Sequence, residues 1–346
     1  MEKVTPLGSR KSDHIRINLE ENIQSGLSTG LDNYYFIHCA IPELNLEDID
    51  SSTTLFGKHL KSPILISSMT GGTADAARIN QNLATAAQET RIGMGVGSQR
   101  IAIENPNLTR SFQVRSFAPD ILLLANLGAV QLNYGYGVDE CQRAIDMIEA
   151  DALILHFNCL QEALQDEGET KFLGLINKIE TLCKILHVPV IAKEVGWGFS
   201  KHDITLLVQA GISSIDVSGA GGTSWSQVEM YRAKDEYHRN LAKAFSDWGI
   251  PTSEVIQNVT DIAPKIPIIA SGGLRSGVDI AKCIALGASL GGMAGPFLKA
   301  AIQSIDETIN MINLIKDEIN ISLFATGSKN LDQIRQGKIV KKIDFR

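Results

Sequence analysis

Few of the features that mark secreted, membrane or nucleic-acid-binding proteins are present in this sequence. Cysteine is sparse and odd in number: Cys39, Cys141, Cys159, Cys183 and Cys283 form no CxxC pair and no zinc-type spacing. No disulfide framework is legible, and the thiols read as reduced, as in a cytoplasmic protein. Basic charge is not in excess. The 32 Lys and Arg against 39 Asp and Glu leave a net charge of −7. That argues against a nucleic-acid or anionic-membrane partner, because such partners select basic faces. Long apolar runs are missing too: the strongest, residues 121–127, falls far short of the roughly 20 residues a membrane helix needs. Residues 1–20 are polar and charged, without a signal-peptide core.

The 346 residues are 44% hydrophobic, enough for a sizeable core. The length suits one (β/α)8 barrel of about 250 residues with extensions. Short apolar runs at 63–68, 92–96, 121–125, 152–157, 188–193, 213–217, 266–270 and 290–293 predict eight strands. Helical spacing fills the gaps, as at Phe172, Leu175, Ile176, Ile179, Leu182 and Leu186. Buried strands alternating with helices predict a parallel sheet. Eight such units predict closure into a TIM barrel, an α/β fold, with residues 1–60 as an N-terminal extension, 61–315 as the barrel and 316–346 as a C-terminal helical extension.

The strand ends reinforce this prediction. Each run finishes in a polar or glycine-rich step: Thr70-Gly71-Gly72, Gly97-Ser98-Gln99-Arg100, Asn126, Asn158, Lys193-Glu194, Ser218-Gly219, Ser271-Gly272-Gly273 and Ala294-Gly295. In a TIM barrel such steps converge on one mouth, where active sites lie. The connection after the sixth strand is long and opens with Gly219-Ala220-Gly221-Gly222. It reads either as a lid from about residue 221 to 236, hinged on its glycines, or as a surface insertion.

Two glycine-rich turns, Ser271-Gly272-Gly273 and Gly291-Gly292-Met293-Ala294-Gly295-Pro296, resemble the FMN phosphate cradle of TIM barrels. Glycine lets backbone N–H groups approach a phosphate closely, and a following helix N-terminus adds a favourable field. Lys193 ends an otherwise apolar strand. A buried cation there needs an anion; the candidates are a reduced flavin ring, or a salt bridge to Glu194 or Glu229. Ser68, Met69, Thr70, Ser98, Asn126, Ser218 and Thr223 offer the short polar contacts a flavin needs.

The most specific segment is His156-Phe157-Asn158-Cys159-Leu160-Gln161-Glu162, which gathers an imidazole, two amides and a carboxylate. Together with Arg10-Lys11-Ser12-Asp13-His14 and Gly97-Ser98-Gln99-Arg100, it makes the chain resemble type 2 isopentenyl diphosphate isomerase along nearly its whole length. The resemblance implies a diphosphate substrate bound by Arg10, Lys11, Ser98, Gln99, Arg100 and Asn158. Gln161, Lys193 and His156 would be the catalytic residues, with Gln161 meeting the alkene and His156 either touching the diphosphate or supporting a neighbour that does, and Glu162 would hold Mg²⁺. FMN would be held by Ser68, Met69, Thr70, Ser98, Asn126, Lys193, Ser218, Thr223, the turn Gly272-Gly273-Leu274-Arg275, and Ala294-Gly295. It further implies NADPH as reductant of the flavin and a homo-oligomer, tetramer or octamer. The family usually reads His-Leu-Asn-Pro-Leu-Gln-Glu, so Phe157 and Cys159 are departures, and Cys159 is a potential oxidation liability near the mouth. The alternative on the same fold, an FMN-dependent 2-hydroxyacid oxidase, carries a catalytic histidine just after the sixth strand. Here that place reads Ser218-Gly219-Ala220.

Overall fold

A computed structural model describes residues 13, 14 and 16–342. Eight parallel strands close into a barrel in the order β7-β8-β1-β2-β3-β4-β5-β6. They are β1 Ile64–Ile66, β2 Gly93–Gly95, β3 Leu123–Gly128, β4 Ala152–Phe157, β5 Val190–Glu194, β6 Ser214–Asp216, β7 Ile268–Ala270 and β8 Leu290–Met293. All eight predicted strands are present. Most are shorter than their apolar runs, because burial continues past the last ladder hydrogen bond. β4 and β8 match theirs, and β3 runs on to Gly128 in register with β4, so Asn126 lies inside the strand.

Alternation within the strands divides the apolar residues into two layers. Leu65, Leu122, Leu124, Ile154, Ile191, Ile269 and Leu290 fill the barrel, and Leu55 and Leu60 of the hairpin Thr53–Leu55/Lys58–Leu60 pack into the same cluster. That hairpin reaches the strands' N-terminal side, since Leu60 runs directly into β1. The opposite faces pack against the surrounding helices. Burying the smaller cluster at roughly 25 cal/mol per Å² makes each of these side chains worth about 1.5–3 kcal/mol.

The extensions are part of this architecture. Strand Tyr34–Phe36 pairs antiparallel with Ile339–Lys341, joining the two ends of the chain. The helix Ile305–Ala325 runs straight through residue 315 and packs on helices Ala74–Thr90 and Gly277–Ala285. The expected boundary at 315/316 therefore falls within a helix of the outer layer.

The long β6–β7 connection holds two helices, Trp225–Arg232 and Glu236–Lys243. It is tied to the N-terminal segment: Ser25 N–H donates to Gly222 O at 2.8 Å, and Ser224 N–H to Ile23 O at 2.8 Å. Val228 packs with Ile17 and Ile23. A Cβ on Gly221 would sit 2.4 Å from Thr29 N, and one on Gly222 would sit 2.5 Å from Gly273 N. Close backbone packing, rather than hinge freedom, requires these glycines.

Candidate active site

The C-terminal strand ends surround a cavity of about 1040 Å³. It meets the upper end of the roughly 300–1,000 Å³ usual for ligand pockets, room for a cofactor together with a substrate. Ser68, Met69, Thr70, Ser98, Arg100, Asn126, His156, Asn158, Gln161, Glu162, Lys193, Ser218, Thr223, Gly272, Gly273, Leu274, Arg275, Ala294 and Gly295 all line it. Arg10 and Lys11 lie outside the described residues.

Gln99 is the expected diphosphate-binding residue, among those described, whose side chain does not line the cavity. It is fully buried behind the wall: Nε2 donates to Ala144 O at 2.8 Å, and Oε1 accepts from Asn126 N–H at 2.9 Å. Its amide is committed at both ends and does not line the cavity. It fixes the backbone that carries Asn126, whose Oδ1 lies 2.8 Å from His156 Nδ1.

One side of the cavity is built for a flavin. Gly272 and Gly273 adopt positive φ of 100° and 78°, and a Cβ on Gly295 would meet nothing within 4 Å. Helix Gly295–Gln303 starts there, with Pro296 in its first turn. The hydroxyls of Ser67 and Ser68 are buried on the wall with no hydrogen-bond partner, a cost that a bound polar ligand would relieve. Ser218 holds φ at 35°, a strained conformation for a residue with a side chain. Arg275 reaches across the rim to Gln24 Oε1 at 3.1 Å.

Lys193 takes neither of its two expected protein partners. Its ammonium donates to the backbone carbonyl of Glu194 at 2.8 Å and lies 3.6 Å from Asp216 Oδ2. The Glu194 carboxylate turns away and accepts backbone N–H bonds from Val195, Gly196, Trp197 and Gly198 at 2.6–3.2 Å. Burial pushes its carboxyl up to about 7, against those donors and Lys193. Asp216, at the end of β6, is likewise raised by burial, opposed by Lys193 and the Ser271 hydroxyl.

The other side gathers polar and charged groups. Asn158 Nδ2 donates to Glu162 Oε1 at 2.7 Å and to Gln161 Oε1 at 3.2 Å. Glu162 Oε2 accepts Glu169 N–H at 2.8 Å. Gln161 Nε2 donates to Glu229 Oε1 at 3.0 Å, and Arg232 pairs with Glu229 Oε2 at 2.6 Å. Burial alone would raise the Glu229 carboxyl, but His14, Arg232 and Gln161 outweigh it and hold it at about 2. Arg100 is paired with Glu104 and Glu169. No group of three or more His, Cys, Asp or Glu side chains fit to hold a metal occurs among the described residues. Glu162, a single carboxylate on the cavity wall, is the described residue that would hold a cation such as Mg²⁺, with waters and substrate oxygens completing its shell.

The two departures have local explanations. Phe157 packs edge-to-face on Phe199 at 5.6 Å. Cys159 opens the short helix Cys159–Leu164 and is exposed; partial desolvation of its sulfur, with Glu194 nearby, raises its thiol pKa, which disfavours the reactive thiolate.

Comparison with known proteins agrees with this architecture. The sequence profile of the FMN-dependent dehydrogenase family matches residues 161–341. An isopentenyl-diphosphate delta-isomerase of Nostoc sp. is 54% identical over 336 residues, covering 97% of this chain and 96% of the relative. The chain belongs to the isopentenyl-diphosphate delta-isomerase family. Relatives with that name from Synechococcus sp. and Rickettsia rickettsii are 51% and 49% identical, covering 97% and 95% of this chain and 97% and 96% of their own lengths. Among solved structures, a mandelate oxidase variant superposes with TM-score 0.65 at 16% identity, covering 98% of this chain and 100% of its own. A flavocytochrome b2 variant gives 0.64 at 15%, covering 97% and 80%. At those identities the likeness concerns the barrel alone.

Sequence reading passed over Asp216, Glu169 and the role of Glu229. Asp216 had a signal: an acid inside the apolar run Ile215-Asp216-Val217 must find a cation. The other two sit on surface-like stretches whose approach to the mouth depends on the folded connections.

Proposed function

We propose that this chain interconverts isopentenyl and dimethylallyl diphosphate, using reduced FMN and Mg²⁺. The observation that carries the reading is the pairing, in one cavity, of a glycine-cradled side under Lys193 with Arg100, Glu162 and Gln161. The family membership supports the same reaction. It moves one carbon–carbon double bond without net redox change, so it needs a group that gives a proton at one carbon and takes one from another. Reduced FMN supplies that acid–base group when bound.

The chain's own residues bind and orient. Glu162 would hold Mg²⁺ against the diphosphate, and Arg100 would offer a planar fork to its oxygens, joined by Arg10 and Lys11. Gln161, fixed between Asn158 and Glu229, presents its amide to the hydrocarbon end. Lys193 balances the charge of the reduced ring. His156, oriented by Asn126, serves the diphosphate side rather than the proton path.

The hydroxyacid-oxidase reading is weaker. It needs an imidazole after β6, where this chain places Ser218 and glycines. The imidazoles lining the described cavity are those of His14 and His156.

The test is anaerobic. Protein loaded with FMN and reduced by NADPH, the expected physiological reductant, should form many molecules of dimethylallyl diphosphate per reductant when given isopentenyl diphosphate and Mg²⁺. Product formed one-for-one with NADPH oxidation, or full activity with the flavin held oxidised, would overturn the proposal. A cytoplasmic homo-oligomer, tetramer or octamer, is the expected state, checked by light scattering of the purified protein.

A further inference from the structure

Three neighbouring barrel strands set a row of ionisable groups across the cavity wall. His156 on β4 is in register with Lys193 on β5, and Lys193 with Asp216 on β6. His156 is engaged by Asn126, and the Glu194 carboxylate is turned into its own loop. That leaves Asp216 as the anion facing the Lys193 ammonium from a neighbouring strand. It is 1% exposed, with Oδ1 held by the Ser271 hydroxyl. Oδ2 lies 3.6 Å from Lys193 Nζ and makes no close hydrogen bond, while the Ser218 backbone N–H also steadies the carboxylate.

This arrangement is costly unless it does something. A buried carboxylate with one oxygen lacking a close hydrogen bond is unfavourable, and a pair at 3.6 Å is longer than a good charge-assisted hydrogen bond. The Ser271 bond and the strand register hold Asp216 at that distance. Lys193 therefore gives its short bond to Glu194 O and keeps a further proton for the cavity. We infer that Asp216 is a positioning residue that keeps Lys193 an ammonium while the flavin is oxidised, so that the cation is already in place when the ring becomes anionic. The inference rests on the FMN reading above.

The consequence is a proton count. With Lys193 charged throughout, two-electron reduction of FMN to its anionic hydroquinone takes up one proton, at the ring. Without Asp216 the buried lysine keeps Glu194 as a neighbour but loses the anion facing it across the strands, and a buried lysine can have its pKa lowered by about 3–5 units. Lysine then loses its proton beside the neutral ring and regains it on reduction, so two protons enter with two electrons.

The experiment is a spectroelectrochemical titration of FMN-loaded protein between about pH 8 and 9.5, above both the roughly 5.4–7.4 expected of a lysine depressed by that amount and the Glu194 carboxyl at about 7. The wild type should show a slope of one proton per two electrons. Asp216→Asn should show a steeper slope and a lower potential at the alkaline end. In a Lys193→Met background, Asp216→Asn should leave the slope unchanged, since its effect runs through the lysine. Equal slopes for wild type and Asp216→Asn would overturn the inference and leave the FMN reading standing. So would a change that persists without Lys193. Failure of the wild type to take up FMN, read from the flavin absorbance, would overturn both. Should Asp216→Asn not hold FMN, the wild-type slope decides: one proton supports the inference, and a second that disappears in Lys193→Met overturns it.

Discussion

Replacing Glu229 with Gln removes one negative charge from the cavity wall and keeps the shape of the side chain. The carboxylate is 4% exposed and accepts from Gln161 and Gln165, each at 3.0 Å, and from Arg232 at 2.6 Å. A hydrogen bond to a charged acceptor contributes about 1.5–3 kcal/mol and a neutral one about 0.5–1.5. The bond that aims Gln161 therefore loses about 1 kcal/mol, and a glutamine at 229 can also turn its own N–H₂ toward Gln161. Together these give an expected fall in kcat of about 10- to 100-fold, equivalent to roughly 1.4–2.8 kcal/mol. Arg232 is 23% exposed and keeps water as a partner, so the stability loss should be about 1 kcal/mol or less, a Tm decrease of a few degrees. The assay is anaerobic kcat and KM for isopentenyl diphosphate, with FMN content and Tm as controls. The sign of the pH effect follows from the lowered carboxyl. Glu229 holds its charge at about 2 in the folded protein against 4.5 when free. Its contribution is fully present above the free value and is lost as pH falls toward about 2. In the folded protein the Glu229 carboxyl does not titrate near neutral pH, so any change there in the ratio of wild-type to variant kcat reports its partners, His14 first. A kcat within twofold of wild type, with FMN bound, would refute the reasoning.

Glu162→Gln should raise the Mg²⁺ concentration needed for half-maximal activity while FMN remains bound; an unaltered Mg²⁺ titration would place the metal elsewhere. Lys193→Ala should lower activity by about 10²-fold or more, as loss of a preorganised charge-stabilising donor does, measured on enzyme with its flavin fully reduced. Gln99→Leu should reduce stability by about 1–3 kcal/mol, since it leaves the buried Asn126 N–H without its acceptor and removes a bond to Ala144 O, whereas Arg100→Ala should raise KM with little change in Tm. Residues 221–236 should gain hydrogen-exchange protection when FMN and substrate bind, starting from the partly protected state that their packing on the N-terminal segment implies.

The barrel was legible because its signals are local. Eight apolar runs, helical spacing between them and a polar step at each strand end survive reading in one dimension, since strand burial and strand-end exposure recur with every βα unit. The glycine turns at 272–273 and 294–295 and the segment from His156 to Glu162 could be read for the same reason: each carries its chemistry within a few consecutive residues. What could not be read was which side chain meets which. Gln99 and Arg100 are adjacent, yet their directions differ, so one amide is locked behind β3 and the other side chain opens to the mouth. Lys193 had two plausible partners nearby in sequence or function, and strand register gave it a third, Asp216, 23 residues on. Glu229 reaches Gln161 only because the β6–β7 connection folds back over the mouth. The order of the elements and the place of the site were determined by the sequence alone, through periodicity and turn chemistry. The partners of the charged groups were decided only by the tertiary structure, because register and loop packing set distances of a few ångströms that no spacing in the chain encodes.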